Sequence, residues 1–207
     1  MSFTTPDLSD AHPETKAIAP ILKNFGGREI FWGEIETLRC PDDNSFVKEL
    51  LNNEGNGKVL VVDANGISTV ALLGDMIAEA GVKNNWSGVV INGYVRDIEI
   101  LKTLDIGVQA LGTMPVRSKK KNQGELGVDI TFGGVTFSRG NYIYADNNGL
   151  LLSKEELELI WIDLRASVIS LLAAFQAGNI PPIKPTVSAR DRPCPTTSRV
   201  TAKLKAV

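Results

Sequence analysis

One stretch of the chain carries residue types whose spacing could do chemistry: Gly74-Asp75-Met76-Ile77 and, with twenty residues intervening after Asp75, Arg96-Asp97. If the chain around Gly74 opens a helix, the free N–H groups of that start would form an anion site that a glycine lets a ligand approach. Arg96 adds a planar fork suited to a carboxylate, so one anionic group would be gripped twice. Asp97 can turn to the other side and hold a hard cation. Mg²⁺, with Mn²⁺ as the alternative, is commonly held by one or two carboxylates together with water and substrate oxygens. The ligand this implies is a 2-oxo acid, because a cation on its keto and carboxylate oxygens stabilises the charge that develops when a neighbouring C–C bond breaks. Asp75 could orient or deprotonate a bound water. The same residues have a second reading, in which Arg96 pairs with Asp75 or Asp97 at a loop and does nothing else; spacing leaves both open.

Other chemistries are poorly supplied. His12 is the one histidine, so a two-His metal site would need residues shared between subunits, and any Ser/His or Cys/His triad would rest on a polar N-terminal segment. Cys40 and Cys194 are far apart with no CxxC spacing, which reads as free thiols in a reducing cytoplasm. "GNGKVL" lacks the first glycine and the Ser/Thr of a phosphate loop and precedes a strand instead of following one, and no GxGxxG follows a strand. A net charge of −2 gives no general attraction to nucleic acid, and the run Lys119-Lys120-Lys121 reads as a solvated loop. No apolar run approaches the ~20 residues of a membrane span, and the first residues lack the apolar core of an export signal.

The elements that must position these residues follow from periodicity. The 207-residue chain is 43% hydrophobic and 22% charged, which suits one globular core. Thr and Asp caps precede a short helix near residue 5. "REIFWGEIETLRC" alternates Ile30, Trp32, Ile35, Thr37 and Arg39 as a long half-buried strand, with Gly33 as a candidate bulge. A helix follows through Phe46, Leu50 and Leu51, then the buried strand "KVLVVD". "STVALLGDMIAEAGVKNNW" reads as a helix, "SGVVINGYV" as a second buried strand, "RDIEILKTLD" as a short helix or turn, and "IGVQALGTMPVR" as a third strand. Strands alternating with helices imply parallel pairing with right-handed crossovers. Ligands on such layers sit at the carboxyl ends of the strands, where Asp63, Gly74 and Arg96 would meet. From residue 124, short β-branched runs parted by Gly-Gly and Asp-Asn-Asn-Gly predict antiparallel hairpins. The expected class is therefore α/β with mixed sheets. Ser153 and Glu156 open an amphipathic helix over 154–178, and 179–207 is a Pro-rich extended or disordered tail.

Over residues 5–153 the chain resembles a known family, the regulators of ribonuclease activity A together with the class II 4-hydroxy-4-methyl-2-oxoglutarate aldolases. The segments that carry the likeness are "NFGGREIFWGEI", "GNGKVLVVDANG", "WSGVVINGYVRD", "LDIGVQALGTMPV", "GGVTF" and "YADNNGLLLS". The family's aldolases carry Asp, twenty residues, Arg-Asp and often an acid three positions later; here Glu99 falls one place early and Ile100 takes the expected position. The resemblance implies a three-layer β/β/α swivelling fold over 1–153, assembled as a homotrimer with sites near subunit contacts. It implies that the Gly74–Ile77 backbone and Arg96 bind a pyruvyl substrate and that Asp97 binds a divalent metal. The implied activity is cleavage of 4-hydroxy-4-methyl-2-oxoglutarate to pyruvate, with oxaloacetate decarboxylation beside it. The family's other members inhibit a ribonuclease as protein partners, and some of them depart from the Arg-Asp motif that this chain keeps.

Overall fold

The structure, a computed structural model, describes residues 3–159. In chain order its elements are α1 (Thr5–Ala11), β1 (Lys16–Ala17), β2 (Lys23–Asn24), β3 (Phe31–Arg39), α2 (Ser45–Leu51), β4 (Val59–Asp63), β5 (Ala71–Leu73), α3 (Asp75–Lys83), β6 (Gly88–Val95), α4 (Ile98–Leu101) and β7 (Gly107–Thr113). There follow β8 (Glu125–Leu126), β9 (Ile130–Phe132), β10 (Val135–Phe137), β11 (Tyr142–Ala145) and β12 (Leu150–Ser153).

Long β3 joins two kinds of sheet. Its first half pairs antiparallel with β11, and its second half, from Ile35, pairs parallel with β4. Parallel β4, β6 and β7 follow, as expected from the strand–helix alternation, and β11–β12 and β9–β10 are the antiparallel hairpins expected after residue 124. Because side chains alternate across a strand, the parallel layer feeds two cores. Leu60, Val62, Val89 and Ile91 pack with α2, α3 and α4 residues such as Val47, Leu51, Ala78 and Leu101. Val59, Val61 and Val90 point the other way, into Ile130, Phe132, Val135 and Phe137 of the β9–β10 hairpin and Ile143 of β11. Helices cover one face and antiparallel strands the other, so the chain is mixed α/β in three layers. Truncating one of these side chains, such as Ile91→Ala, removes about 2–5 kcal/mol of stability.

Several local expectations change. The expected helix from Ser68 begins only at Asp75, because Ala71–Leu73 are taken as strand β5 by the free edge of β6. Phe31, not Ile30 or Trp32, is the buried residue at the start of β3. Its ring lies over Gly88 and Gly107, where an added Cβ would stand 2.5 and 2.1 Å from it. Trp32 instead stacks on Tyr144, with ring centroids 5.9 Å apart. Gly33 is no bulge; a Cβ there would meet the Gly57 carbonyl at 2.3 Å, so it marks close backbone approach. Ser153 ends β12, its Oγ accepting from the Glu155 N–H, and 154–159 form a bend and loop. The rest of the helix expected over 154–178, and the tail 179–207, lie outside the described residues. Among those described, no helix is long and apolar enough to cross a membrane.

Candidate active site

The candidate residues meet because one strand outruns its neighbour. β4 stops at Asp63, whose Oδ1 accepts from Asn92 Nδ2 of β6 at 2.7 Å. β6 continues for three residues, and β5 takes the edge that β4 leaves, pairing Ala71 with Tyr94 and Leu73 with Val95. Arg96 N–H then donates to the Leu73 carbonyl at 2.9 Å. The carboxyl ends of β5 and β6 therefore deliver Gly74 and Arg96-Asp97 side by side.

Gly74 caps α3 in an extended conformation (φ −139°, ψ −173°), and its carbonyl accepts from Ala78 N–H at 3.1 Å. Its lack of a side chain is a packing requirement. A Cβ at this position would lie 2.8 Å from Asp97 Oδ2 and 3.1 Å from Arg96 Cγ. Asp97 is left-handed (φ 58°, ψ 41°), and its carbonyl accepts from Ile100 and Leu101 N–H to start α4. An aspartate can hold that conformation at some cost, and such residues gather at functional sites. Arg96 Nε donates to Asp97 Oδ2 at 2.9 Å, with the two side chains 37% and 29% exposed.

The ion pair foreseen at the loop is thus present, made with Asp97 and not with Asp75. It engages only Nε, and among the described residues the terminal nitrogens of Arg96 and Oδ1 of Asp97 make no hydrogen bond. Asp75 is half-buried beside them. Its Oδ1 accepts from the Met76 N–H at 2.7 Å, which satisfies one of the free donors at the helix start. Ile77 packs against the helix-side core, whereas Met76 is 78% exposed. Glu99 is exposed on α4. Among the described residues no three of His, Cys, Asp and Glu gather as a ready-made cation cage.

Two cavities, of about 640 and 890 Å³, lie elsewhere, and neither is lined by Gly74, Arg96 or Asp97. The meeting of three backbone ends at a strand terminus outweighs cavity size as a sign of function, because the larger hollows have no comparable grouping of a strained acid and a half-committed arginine. Sequence reasoning missed the segment after β7, which rims this end of the layer. Met114 N–H donates to the Val95 carbonyl, and Ala71 N–H donates to that of Val116. Its signal in the sequence was the basic run from Arg117 to Lys121, which reads as a solvated loop when its place is unknown.

Comparison with known proteins adds an independent line. The chain matches the RraA-like family, described as Aldolase/RraA, over residues 5–152. A protein of Hahella chejuensis, provisionally named a 4-hydroxy-4-methyl-2-oxoglutarate aldolase, is 49% identical over 77% of this chain and 98% of its own length. A protein of Pseudomonas syringae pv. tomato with the same provisional name is 52% identical over 77% of this chain and 99% of its own. Among solved structures, the RNA-processing inhibitor RraA from Thermus thermophilis superposes with a TM-score of 0.74 at 41% identity, covering 77% of this chain and 98% of that one.

Proposed function

The chain belongs to the RraA-like family, and on that premise we propose a divalent-metal-dependent lyase that cleaves 4-hydroxy-4-methyl-2-oxoglutarate to pyruvate. The observation that carries this reading is the convergence of Gly74, Arg96 and Asp97 at the ends of β5 and β6. Arg96 is held at Nε by Asp97, which orients its two terminal nitrogens for a bidentate grip on the substrate's carboxylate. The N–H groups of the Gly74–Ile77 turn share that anion, Met76 N–H exchanging the Asp75 carboxylate for it. Asp75, so released, stands beside the substrate to orient a water that accepts the C4 hydroxyl proton. The C3–C4 bond breaks as that proton leaves, its electron pair moves to the keto oxygen, and protonation at C3 completes one pyruvate while the C4 fragment leaves as the other.

The donor set suits Mg²⁺, or Mn²⁺ in its place, since such ions take one or two protein carboxylates and fill the remaining positions with water and substrate oxygens. Asp97 would hold it through its free oxygen, and the bound cation supplies Lewis-acid stabilisation for charge developing on the keto oxygen. The same electron flow accounts for oxaloacetate decarboxylation as a side activity. Met76 and Ile100, exposed apolar residues on the first turns of α3 and α4, support assembly at this rim, which we assign to a cytoplasmic homotrimer. The Thermus RNA-processing inhibitor supports a second reading, a regulator that binds a ribonuclease through a surface apart from the cleft.

A coupled pyruvate-release assay with Mg²⁺ tests the proposal, repeated with chelator and with Arg96→Ala. Release should fall to background in both controls. Activity that survives both would reject this site, and absence of activity with saturable ribonuclease binding would favour the regulator.

A further inference from the structure

At the amino ends of the parallel strands, away from Gly74 and Arg96, the fold leaves the hollow of about 640 Å³. Its cause is the late start of one pairing. β3 pairs with β4 only from Ile35 opposite Val59, and just before β4 the chain turns through left-handed Asn56 and Gly57 (φ 49° and 79°). A Cβ on Gly57 would meet nothing within 4 Å, so the space there is open. Trp32 and Glu34 share a face of the sheet with their β11 partners Tyr144 and Tyr142. Tyr144 stacks on the Trp32 ring and is not a wall of the hollow, so Trp32 turns its other side to it. Lys58, Ser87 and Asp105, which stand just before β4, β6 and β7, are further walls. A space of this size suits a small organic molecule.

The walls carry three acids, Glu34, Asp105 and Glu156, and two bases, Arg28 and Lys58. Both bases are committed. Arg28 grips Asp105 through Nε and Nη2, each at 2.9 Å, and gives Nη1 to the Ser87 carbonyl at 3.3 Å. Lys58 Nζ donates to Glu34 Oε1 at 2.9 Å. Glu156 is exposed and forms no ion pair among the described residues. Ser87 is 9% exposed, and among the described residues neither its Oγ nor Glu34 Oε2 makes a hydrogen bond. A hydroxyl buried that far without a protein partner is uncommon and marks a place for a ligand or water. The hollow thus has acceptors to spare and one carboxylate beyond its cations. An anion would have to break an ion pair on entering, whereas a cation completes one. The aromatic walls, Trp32 and Tyr142, attract the same charge through their ring faces.

We propose that this hollow is a second binding site, which takes a small organic ammonium ion with an apolar body. Glu156 supplies the counter-charge, Ser87 Oγ an acceptor for an ammonium N–H, and Trp32 a ring surface for the body. The site is separate from Arg96 and Asp97 and does not rest on the lyase reading.

Three probes of the same ring and chain test it: 2-phenylethylamine, 3-phenylpropionate and 2-phenylethanol, which at neutral pH are positive, negative and uncharged. In calorimetric titration of the full chain the amine should bind in a single saturable event. The alcohol should bind at least about tenfold more weakly, and the acid should not bind. Glu156→Gln, a change at an exposed side chain, should weaken the amine about tenfold and leave the alcohol unchanged. Trp32→Leu should weaken both. Asp97→Asn should bind the amine as wild type does, because the rim takes no part. No saturable binding of the amine, equal binding of the acid, or an amine affinity untouched by Glu156→Gln would overturn the proposal. Loss of the amine in Asp97→Asn would overturn it too, by moving the binding to the rim.

Discussion

Asp43 and Asp97 both follow strands of the parallel layer at its carboxyl end, yet they are built oppositely. Asp43 is 1% exposed and accepts from the N–H and Oγ of Ser45 and from the N–H groups of Lys121 and Gln123. Asp97 is left-handed, partly open and held by a single arginine nitrogen. A carboxylate whose lone pairs are filled by fixed donors is structural, because any ligand would have to displace hydrogen bonds that fasten the chain. One with an oxygen to spare keeps capacity for a ligand.

Substitutions should separate the two roles. The largest effect is expected from Asp97→Gly, which removes the proposed metal ligand and should lower kcat by about a thousandfold. Its thermal midpoint should match or exceed wild type, since glycine adopts a φ of 58° without the Cβ penalty. Asp43→Ala should do the reverse. It leaves buried donors of two segments unpaired, costs about 3 kcal/mol in chemical denaturation, and affects turnover only through loosening of the rim segment.

Smaller effects come from titration. Burial alone would raise the carboxyl of Asp43, but donors from Ser45, Gln123 and Lys121 outweigh it and hold the group below its ordinary 3.8. The carboxyl of Asp146 is lowered in the same way, burial being outweighed by donors from Thr5 and Asn148 that tie α1 to the β11–β12 hairpin. Carboxyls lowered in the folded state stabilise it fully above the unfolded value and lose that contribution as pH falls through the folded value. Urea midpoints should therefore drop as pH is taken below 3.8, and less steeply in Asp43→Asn or Asp146→Asn. The smallest effect concerns Cys40, whose thiol is pushed up to about 12 by burial and then by the nearby charges of Asp43, Asp63 and Asp42. In a Cys194→Ser background, alkylation of Cys40 at about pH 8 should be slow in the native protein and fast in urea.

The parallel strands β4, β6 and β7 were legible because strands buried on both faces leave continuous apolar runs, and the meeting place of the candidate residues was legible because Arg96-Asp97 directly follows one of them. β5 was not, since a three-residue strand exists only through its pairing with the end of β6 and its apolar residues extend a helical pattern without a break. The inward face of β3 was misread because Phe31 is admitted by glycines far away in sequence, Gly88 and Gly107, and not by its immediate neighbours. Periodicity has no access to the left-handed conformation of Asp97 or to the course of the segment around Arg117, both of which are set by contacts between strand ends.

Calorimetric titration of Mn²⁺ into wild type, Asp97→Asn and Asp43→Asn tests the central distinction most directly. Saturable binding should be present in wild type, lost in Asp97→Asn and kept in Asp43→Asn. Binding that persists without the Asp97 carboxylate, or that disappears with Asp43, would contradict the assignment of this rim as the active site.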